Sequence, residues 1–422
     1  MSRIRNATLG NGITVLTEEM ADIGSVTLGV WIKNGSRHEN SGEGGLSHFI
    51  EHLLFKGTKR RDSIDIAREV ESVGGVINAF TSLEYTCFYV KLLSKDLPMG
   101  VDLLSDIVIN SRFAEKEIER ERGVILQEIK MVEDTPDDLI HDLFLKTLWK
   151  GQAMGRPVLG EAEDISSFTR KDILSYYKNA YHPSSIIISV AGNFKHRKLL
   201  RLIDDVFGGM MEGPTNGAVT APLPVSGVNL QRRNLEQVHL CLGVPTVSRA
   251  HNDRYKLYLL STILGGGMGS RFFQEIREKR GLAYSVYSYL HLHRDVGNFV
   301  VYVGTSSDSF TKVIRLILKG FKDISDSIGR KELSIAKEQF IGNMMLGLES
   351  SENRMSKLAK DEIYYGRVVP FDEIASSIRK VSGSSLRNMA NSIFRPGAFT
   401  LAALGDVEEK GLPRALKSRR VN

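Results

Sequence analysis

Apolar positions along the chain recur at two spacings, which mark predicted strands and predicted helices. The stretch "VTLGVWI" from Val26 has the pattern of a strand, whereas residues 44–57, "GGLSHFIEHLLFKG", carry apolar positions at helical spacing. A hairpin pair within "GGVINAFTSLEYTCFYVKLL", charged helical segments and a last apolar strand, "IIISVAG", follow. Because regular βαβ alternation is lacking, the pattern predicts an α+β fold, with a mostly antiparallel sheet and helices on one face.

The same order of patterns occurs a second time. The strand "VHLCLGVP" repeats "VTLGVWI" at an offset of 212 positions, and "FRPGAFTLAALGD" repeats "YHPSSIIISVAGN", which places Gly405 213 positions after Gly192. The stretch "RGLAYSVYSYLHLHRDVGNFVVYVG" repeats the hairpin, and a run rich in glycine and proline separates the two halves. We therefore expect two homologous domains, 1–210 and 228–422, joined by a linker over 211–227.

Composition then narrows the classes of function. The 56 Lys and Arg are offset by 50 Asp and Glu along the whole chain, and the longest basic run, residues 417–420, has no aromatic neighbours, so we expect no nucleic-acid partner. Cys87 and Cys241 are too few for a disulfide framework, which favours a reducing compartment. Since neither a secretory signal nor a membrane span is visible, the expectation is a cytoplasmic protein.

The predicted helix over residues 44–57 places a candidate metal site on one face. His48 and His52 are four positions apart, and Glu51 lies beside them at three positions from His48. Two neutral imidazoles at this spacing can bind one zinc ion, and an adjacent carboxylate that is not a ligand can act as a general base. The alternative is an ordinary helix with two polar histidines on its solvated side.

Catalytic zinc needs a third protein ligand, and the best candidate lies in "EKEIERERGVILQEIKMVED". Glu121 and Glu128 are seven positions apart and share one face of a predicted helix, and apolar residues flank Glu128. On the residues alone, the alternative is that these acids are solvated and pair with neighbouring cations, namely Arg120, Arg122 and Lys130.

The motif order His-x-x-Glu-His, as in "HFIEH", is the inverzincin signature. The chain resembles the insulinase/pitrilysin superfamily of zinc metallopeptidases, and most closely the bacterial homologues of mitochondrial processing peptidase. The blocks "GSRHENSGEGGLSHFIEHLLFKGT", "INAFTSLEYTCFYV", "ERERGVILQEI" and "GGGMGSRFFQEIREKRGLAYSV" carry the resemblance in the order of the family. It extends from "LGNGITVL" to "LAALGD", which is nearly the whole chain.

The resemblance implies a role for each matching residue. One zinc ion per chain would be held by His48, His52 and Glu128, with Glu51 as the catalytic base and Glu121 orienting a ligating histidine. In the second half, "RYKLYLLSTIL" has no histidine or carboxylate, so that half would bind no zinc.

Further positions follow from the same resemblance. Arg277 and Tyr284 match the pair that hydrogen-bonds the substrate carbonyl and its developing oxyanion, and Asn78 and Ala79 lie on the predicted edge strand that receives a peptide.

The resemblance also implies an assembly and an activity. The expected protein is a bacterial zinc endopeptidase whose two halves face each other across a closed chamber. Because one chain carries both sets of residues, a homodimer is the economical assembly, with a heterodimer as the alternative. The substrates would be unstructured peptides. The competing hypotheses are a structural or peptide-binding relative that lacks activity and, from the basic pI alone, a nucleic-acid-binding protein.

Overall fold

The alternating segments form two β-sheets in a computed structural model, which describes residues 3–213 and 219–416. Part of the predicted linker, 214–218, and the basic run at 417–420 lie outside the described residues. The first sheet has the strand order β1-β2-β6-β3-β5-β4. Its strands are β1 (Arg3–Thr8), β2 (Thr14–Glu19), β3 (Ser25–Ile32), β4 (Val76–Thr81), β5 (Thr86–Leu93) and β6 (Ile186–Gly192).

The second sheet repeats the topology of the first. Its strands are β7 (Val228–Arg232), β8 (Val238–Thr246), β9 (Ala283–Leu292), β10 (Gly297–Thr305) and β11 (Thr400–Gly405), in the order β7-β11-β8-β10-β9. This order matches β2-β6-β3-β5-β4 strand for strand. In each sheet the first of these pairs is parallel and the other three are antiparallel. The predicted α+β class with duplicated domains is confirmed.

Two glycines at equivalent positions of the two sheets share the same backbone conformation and the same close contact. Gly192 ends β6 with φ +139°, and Gly405 ends β11 with φ +138°. A Cβ on Gly192 would lie 2.5 Å from the Cα of Val26, and one on Gly405 would lie 3.0 Å from the Cα of Val238. Both positions require glycine, because a side chain would meet the backbone of the neighbouring strand and because this φ is unfavourable for L-residues.

The helical patterns form α-helices that pack on the sheets. They are α1 (Leu46–Leu54), α2 (Ser63–Glu71), α3 (Leu97–Asn110), α4 (Glu115–Glu133), α5 (Pro136–Leu148), α6 (Ala162–Ser167), α7 (Arg170–Ala180), α8 (His196–Phe207), α9 (Arg254–Gly265), α10 (Phe310–Asp326), α11 (Arg330–Gly347), α12 (Ser351–Tyr365), α13 (Phe371–Lys380) and α14 (Gly383–Ile393). In β3, Leu28 and Val30 face the core that α1, α3 and α8 cover, while Trp31 faces α12 on the opposite side. Most helices therefore lie on one face, and α12 alone packs against the residues of the other face in this cluster.

Two compact units make up the chain, and each is discontinuous in sequence. The first comprises Met1–Lys130, Arg156–Thr220 and Gly347–Val368, and the second comprises the remaining segments. Thus α12 belongs to the first unit although it is encoded in the second half, and α5 belongs to the second unit although it is encoded in the first half. The boundary predicted at 211–227 stays a prediction about the two halves of the sequence. The compact units differ from these halves because each unit also contains one helix that is encoded in the other half.

The remaining expectations from composition concern membranes and thiols. Among the helices of residues 3–213 and 219–416, none combines the length and the apolarity that are needed to cross a bilayer. Cys87 and Cys241 are buried free thiols, one in each sheet.

Candidate metal centre and active site

Helix α1 carries His48 and His52 on one face and anchors the opposite face in the core. Phe49, Ile50 and Leu53 are buried, so the amphipathic pattern of this segment orients the helix. The imidazole ring centroids of His48 and His52 lie 4.6 Å apart, as expected for residues one turn apart.

Glu128 from α4 brings a carboxylate to the two imidazoles. Its Oε2 atom lies 3.8 Å from Nε2 of His48 and 3.7 Å from Nε2 of His52. Buried Ile125 and Ile129 hold α4 against the core on either side of Glu128. One possible ligand atom from each of the three residues lies within 4.8 Å of the other two.

This donor set fits a zinc ion. Two ligands about 2.0–2.1 Å from a tetrahedral zinc are roughly 3.3 Å apart, so separations of 3.7 and 3.8 Å require only small side-chain adjustments. Burial, followed by the neighbouring His52, lowers the pKa of His48 to about 3, so His48 is neutral at physiological pH. A neutral imidazole is the form that binds a metal.

Glu121 lies behind His52 on the side away from Glu128. Its Oε2 atom is 3.2 Å from Nδ1 of His52, and its Oε1 atom is 2.9 Å from Nζ of Lys56. If Nδ1 of His52 donates its hydrogen to Glu121, the Nε2 lone pair is free to face the site. Glu121 is only 1% exposed, so it is not one of the solvated acids considered above.

Two of the three cations that could have neutralised these acids, Arg120 and Arg122, are engaged elsewhere on α4. Arg120 contacts Glu117 at 3.0 Å, and Arg122 contacts Glu119 at 2.9 Å. Local pairing of acids with cations, the alternative drawn from the sequence, therefore occurs on α4, but it involves other glutamates of the helix.

Glu51 lies between the two histidines in sequence, and its carboxylate is buried. Its Oε2 atom accepts a hydrogen bond of 2.5 Å from Oγ1 of Thr81, the last residue of β4. Burial raises the pKa of Glu51, while the bond from Thr81 and the nearby His52 act in the opposite direction. A raised pKa makes a carboxylate a stronger base, which suits it to accept a proton and release it later.

Strand β4 is an edge strand of the first sheet and contacts α1. Asn78 is exposed, and its Oδ1 atom accepts a hydrogen bond of 2.8 Å from the Ala79 backbone N–H. The two residues predicted to bind a peptide are thus on a free sheet edge, beside the helix that carries the candidate metal ligands.

Arg277 and Tyr284 lie together in the second unit. Arg277 is in a π-helical segment, Phe273–Glu278, and Tyr284 is 76% exposed at the start of β9. The Arg277 guanidinium carbon is 4.9 Å from the ring centroid of Tyr284 and 4.7 Å from that of Phe273. The two rings hold the guanidinium in place, and its Nε atom lies 3.8 Å from Oε1 of Glu278.

The second unit has an apolar helix where the first has α1. In α9, Leu260 and Leu264 stand 212 positions after His48 and His52, and both are fully buried. Helix α9, which has no histidine, is therefore used for packing.

Three contributors to the site were not predicted from the sequence: Glu39, Lys56 and Thr81. Glu39 Oε2 accepts from the Gly45 N–H at 2.9 Å, and its Oε1 atom accepts from the Ser47 N–H at 2.8 Å, which caps the N-terminus of α1. Their position in the sequence could have indicated a role, because these residues lie within or directly beside the blocks that carry the family resemblance.

Comparisons with known proteins show which family the chain resembles. The model of "Insulinase (Peptidase family M16)" matches residues 14–162, and that of "Peptidase M16 inactive domain" matches residues 167–340. A Mycobacterium tuberculosis protein named as an uncharacterized zinc protease is 38% identical over 98% of this chain and 96% of its own length. The Bacillus subtilis zinc protease YmxG, also named as uncharacterized, is 37% identical over 93% of this chain and 96% of its own length.

Solved structures show the same fold. A Helicobacter pylori protease superposes with a TM-score of 0.88 at 24% identity, covering 96% of this chain and all of that one. A Pseudomonas fluorescens structure described as a peptidase M16 inactive domain gives 0.90 at 20% identity, covering 97% of this chain and all of that one. The two family models and the relatives that match over nearly their full length establish that the chain belongs to the insulinase family of peptidases, family M16.

Proposed function

We propose that the chain is a zinc-dependent endopeptidase that hydrolyses unstructured peptides. The observation that carries the proposal is the convergence of His48, His52 and Glu128 beside the buried carboxyl of Glu51. The curated relatives named as zinc proteases support it.

In this proposal His48, His52 and Glu128 hold one zinc ion. When bound, zinc supplies Lewis-acid activation of water and of the scissile carbonyl. Glu51 accepts the proton of the attacking water on its carboxylate and later delivers it to the leaving amine. Glu121 keeps the His52 ring in the orientation that faces the other ligands.

The substrate is held through its backbone. An extended peptide pairs with β4 at Asn78 and Ala79, which provides main-chain hydrogen bonds with little discrimination between side chains. The Asn78 side chain must leave the Ala79 N–H for the peptide to bind there, because that N–H already donates to Oδ1 of Asn78.

Arg277 and Tyr284 stabilise the negative charge that develops on the substrate oxygen. We infer that they come from a second copy of the chain, so that two copies form a closed chamber with two equivalent sites. In such a homodimer each site combines the first unit of one copy with the second unit of the other.

The central test compares the wild type with Glu51→Gln. Zinc is quantified by elemental analysis, and cleavage of a mixed peptide library is followed by mass spectrometry. Both proteins are expected to contain one zinc per chain, and only the wild type should cleave. Glu115→Gln is the matched control, since Glu115 is exposed in the first turn of α4, and it should behave as the wild type. Zinc binding without cleavage by the wild type, or equal cleavage by both proteins, contradicts the proposed function.

The shared site is tested by mixing two inactive variants. In a mixed dimer of Glu51→Gln and Arg277→Ala chains, one site contains both defects and the other contains neither. Activity should therefore return after subunit exchange, to at most about half of the wild-type level per dimer because one of two sites is intact. If mixing restores nothing while exchange is demonstrated, each chain uses its own Arg277 and the shared site is wrong.

A further inference from the structure

The hydrogen bond between Thr81 and Glu51 joins two elements that the proposed function uses separately. Glu51 belongs to α1, which carries the metal ligands, and Thr81 ends β4, the edge strand that receives the peptide. The bond of 2.5 Å is made to Oε2 of a carboxyl that is 9% exposed, so the hydroxyl meets the carboxylate with little competition from solvent.

The Thr81 hydroxyl is held in place by its own surroundings. Thr81 pairs with Thr86 in the register of β4 and β5, and the buried Thr86 hydroxyl lies 3.5 Å from the Thr81 hydroxyl and 3.2 Å from the Asn34 carbonyl oxygen. Since the Thr81 O–H donates to Glu51, its oxygen lone pairs face Thr86. The side chain is thus oriented from both sides.

The turn after Thr81 is also fixed to the protein. The Arg37 guanidinium contacts the Glu84 carboxylate at 2.6 Å, and both side chains are buried. The Ser36 N–H donates to the Ser82 carbonyl, and the Arg37 N–H donates to the Leu83 carbonyl. A β-turn anchored by a buried ion pair and two backbone bonds leaves the end of β4 little freedom.

We propose that Thr81 is a positioning residue that holds the Glu51 carboxylate for catalysis and ties the general base to the peptide-binding strand. The inference rests on the proposed function. Because a peptide that pairs with β4 further restricts the backbone of that strand, substrate binding and alignment of the base are linked through this one hydroxyl. The Thr81 hydroxyl donates to Glu51, which is not one of the three proposed zinc ligands, so removal of the hydroxyl should spare zinc binding.

The test measures zinc content, kcat and KM for a Thr81 series with unstructured peptides. In Thr81→Val, kcat should fall about 10- to 100-fold, the range found when a group that orients an active-site residue is removed, with zinc content unchanged. Thr81→Ser keeps the hydroxyl and should retain most of the wild-type kcat. Thr81→Ala provides the same loss of hydroxyl should the valine variant not fold.

Thr27→Val is the matched control. Thr27 lies on β3 of the same sheet, is fully buried, and its hydroxyl is 2.8 Å from the Ser351 hydroxyl. Its removal should lower the melting temperature and leave kcat unchanged.

Two results distinguish a failure of the positioning role from a failure of the proposed function. If the wild type cleaves peptides and Thr81→Val cleaves with the same kcat, or if Thr81→Ser loses as much as Thr81→Val, the positioning role is wrong while the proposed function stands. If the zinc-loaded wild type cleaves no peptide, the proposed function fails and the inference fails with it.

Discussion

Replacing Glu39 by glutamine removes a carboxyl that is buried at the N-terminus of the helix carrying His48 and His52. Glu39 is 3% exposed and accepts hydrogen bonds from the backbone N–H groups of Gly45 and Ser47. Burial raises its pKa from 4.5 to about 7, and the two backbone donors only partly oppose this effect.

The sign of the effect on stability follows from linkage. A carboxyl with a higher pKa in the folded state binds a proton more tightly when folded, so the folded state loses stability as the pH rises from about 4.5 through about 7. Between pH 5 and pH 8 this loss amounts to about 2–3 kcal/mol for the stated pKa values. Glutamine at position 39 does not titrate and therefore does not lose this stability. The free energy of unfolding of Glu39→Gln, relative to that of the wild type, should rise by this amount over the same interval.

The assay is urea unfolding at several pH values, with fluorescence reporting the first unit. The chain has two tryptophans, Trp31 in β3 of the first unit and Trp149 in the second, so a Trp149→Phe background leaves Trp31 as the reporter. Glu115→Gln, at an exposed position, corrects for the general effect of removing one negative charge.

A stability difference between wild type and Glu39→Gln that stays constant from pH 5 to pH 8 would refute the reasoning. That result would mean that the N–H groups of Gly45 and Ser47 keep the carboxylate ionised despite its burial. The variant would then be less stable than the wild type at every pH, because an amide is a weaker helix cap than a carboxylate.

Three further predictions concern the metal, an ion pair and a glycine. Glu121→Gln should weaken zinc binding about 10- to 100-fold in a chelator competition, and wild-type affinity would show that it does not orient His52. Arg37→Ala removes the ion-pair partner of buried Glu84 and should lower the free energy of unfolding by about 3–5 kcal/mol in urea; a loss below ~1 kcal/mol would contradict this. Gly192→Ala should cost about 3 kcal/mol or more in the same assay, since its Cβ would meet a backbone atom at 2.5 Å, and equal stability would refute the stated constraint.

The strand patterns and the duplication could be predicted because they depend on local spacing. Val26, Leu28 and Val30 face one core while Trp31 faces the other side, and this alternation is present in the sequence itself. The offsets that relate Gly192 to Gly405 correspond to the same position in two sheets of one topology.

The exchange of α5 and α12 between the two units could not be predicted in this way. The face of α12 that packs on the first sheet contains Met355, Leu358 and Ala359, which are ordinary apolar residues of an amphipathic helix. Such a pattern shows that a helix must cover something apolar, but it does not identify the sheet that it covers. That choice depends on the path of the connections, which sequence spacing does not contain.

The candidate site likewise has residues that local spacing groups together and residues that only the tertiary structure brings to it. His48, Glu51 and His52 are neighbours because of helical spacing, so a sequence motif suffices to group them. Thr81 reaches Glu51 from a strand end 30 positions away, and Glu39 reaches the start of α1 from a loop; both contacts are tertiary. Threonine and glutamate are common residues, so neither stands out in the sequence before the fold brings it to the site.

The two corresponding helices explain why the polar residues of the first unit cannot be attributed to the fold alone. Helix α9 occupies the equivalent place in a sheet of the same topology with Leu260 and Leu264, which are fully buried and need no polar partners. Helix α1 is instead accompanied by the buried carboxyls of Glu39 and Glu51, whose pKa values are raised by desolvation, and carries a partly buried His48, whose pKa is lowered. Burying these groups costs free energy that leucine would not. The fold forms in the second unit without them, so the presence of Glu51 and His48 in the first unit is explained by the proposed zinc site rather than by packing, whereas Glu39 caps α1.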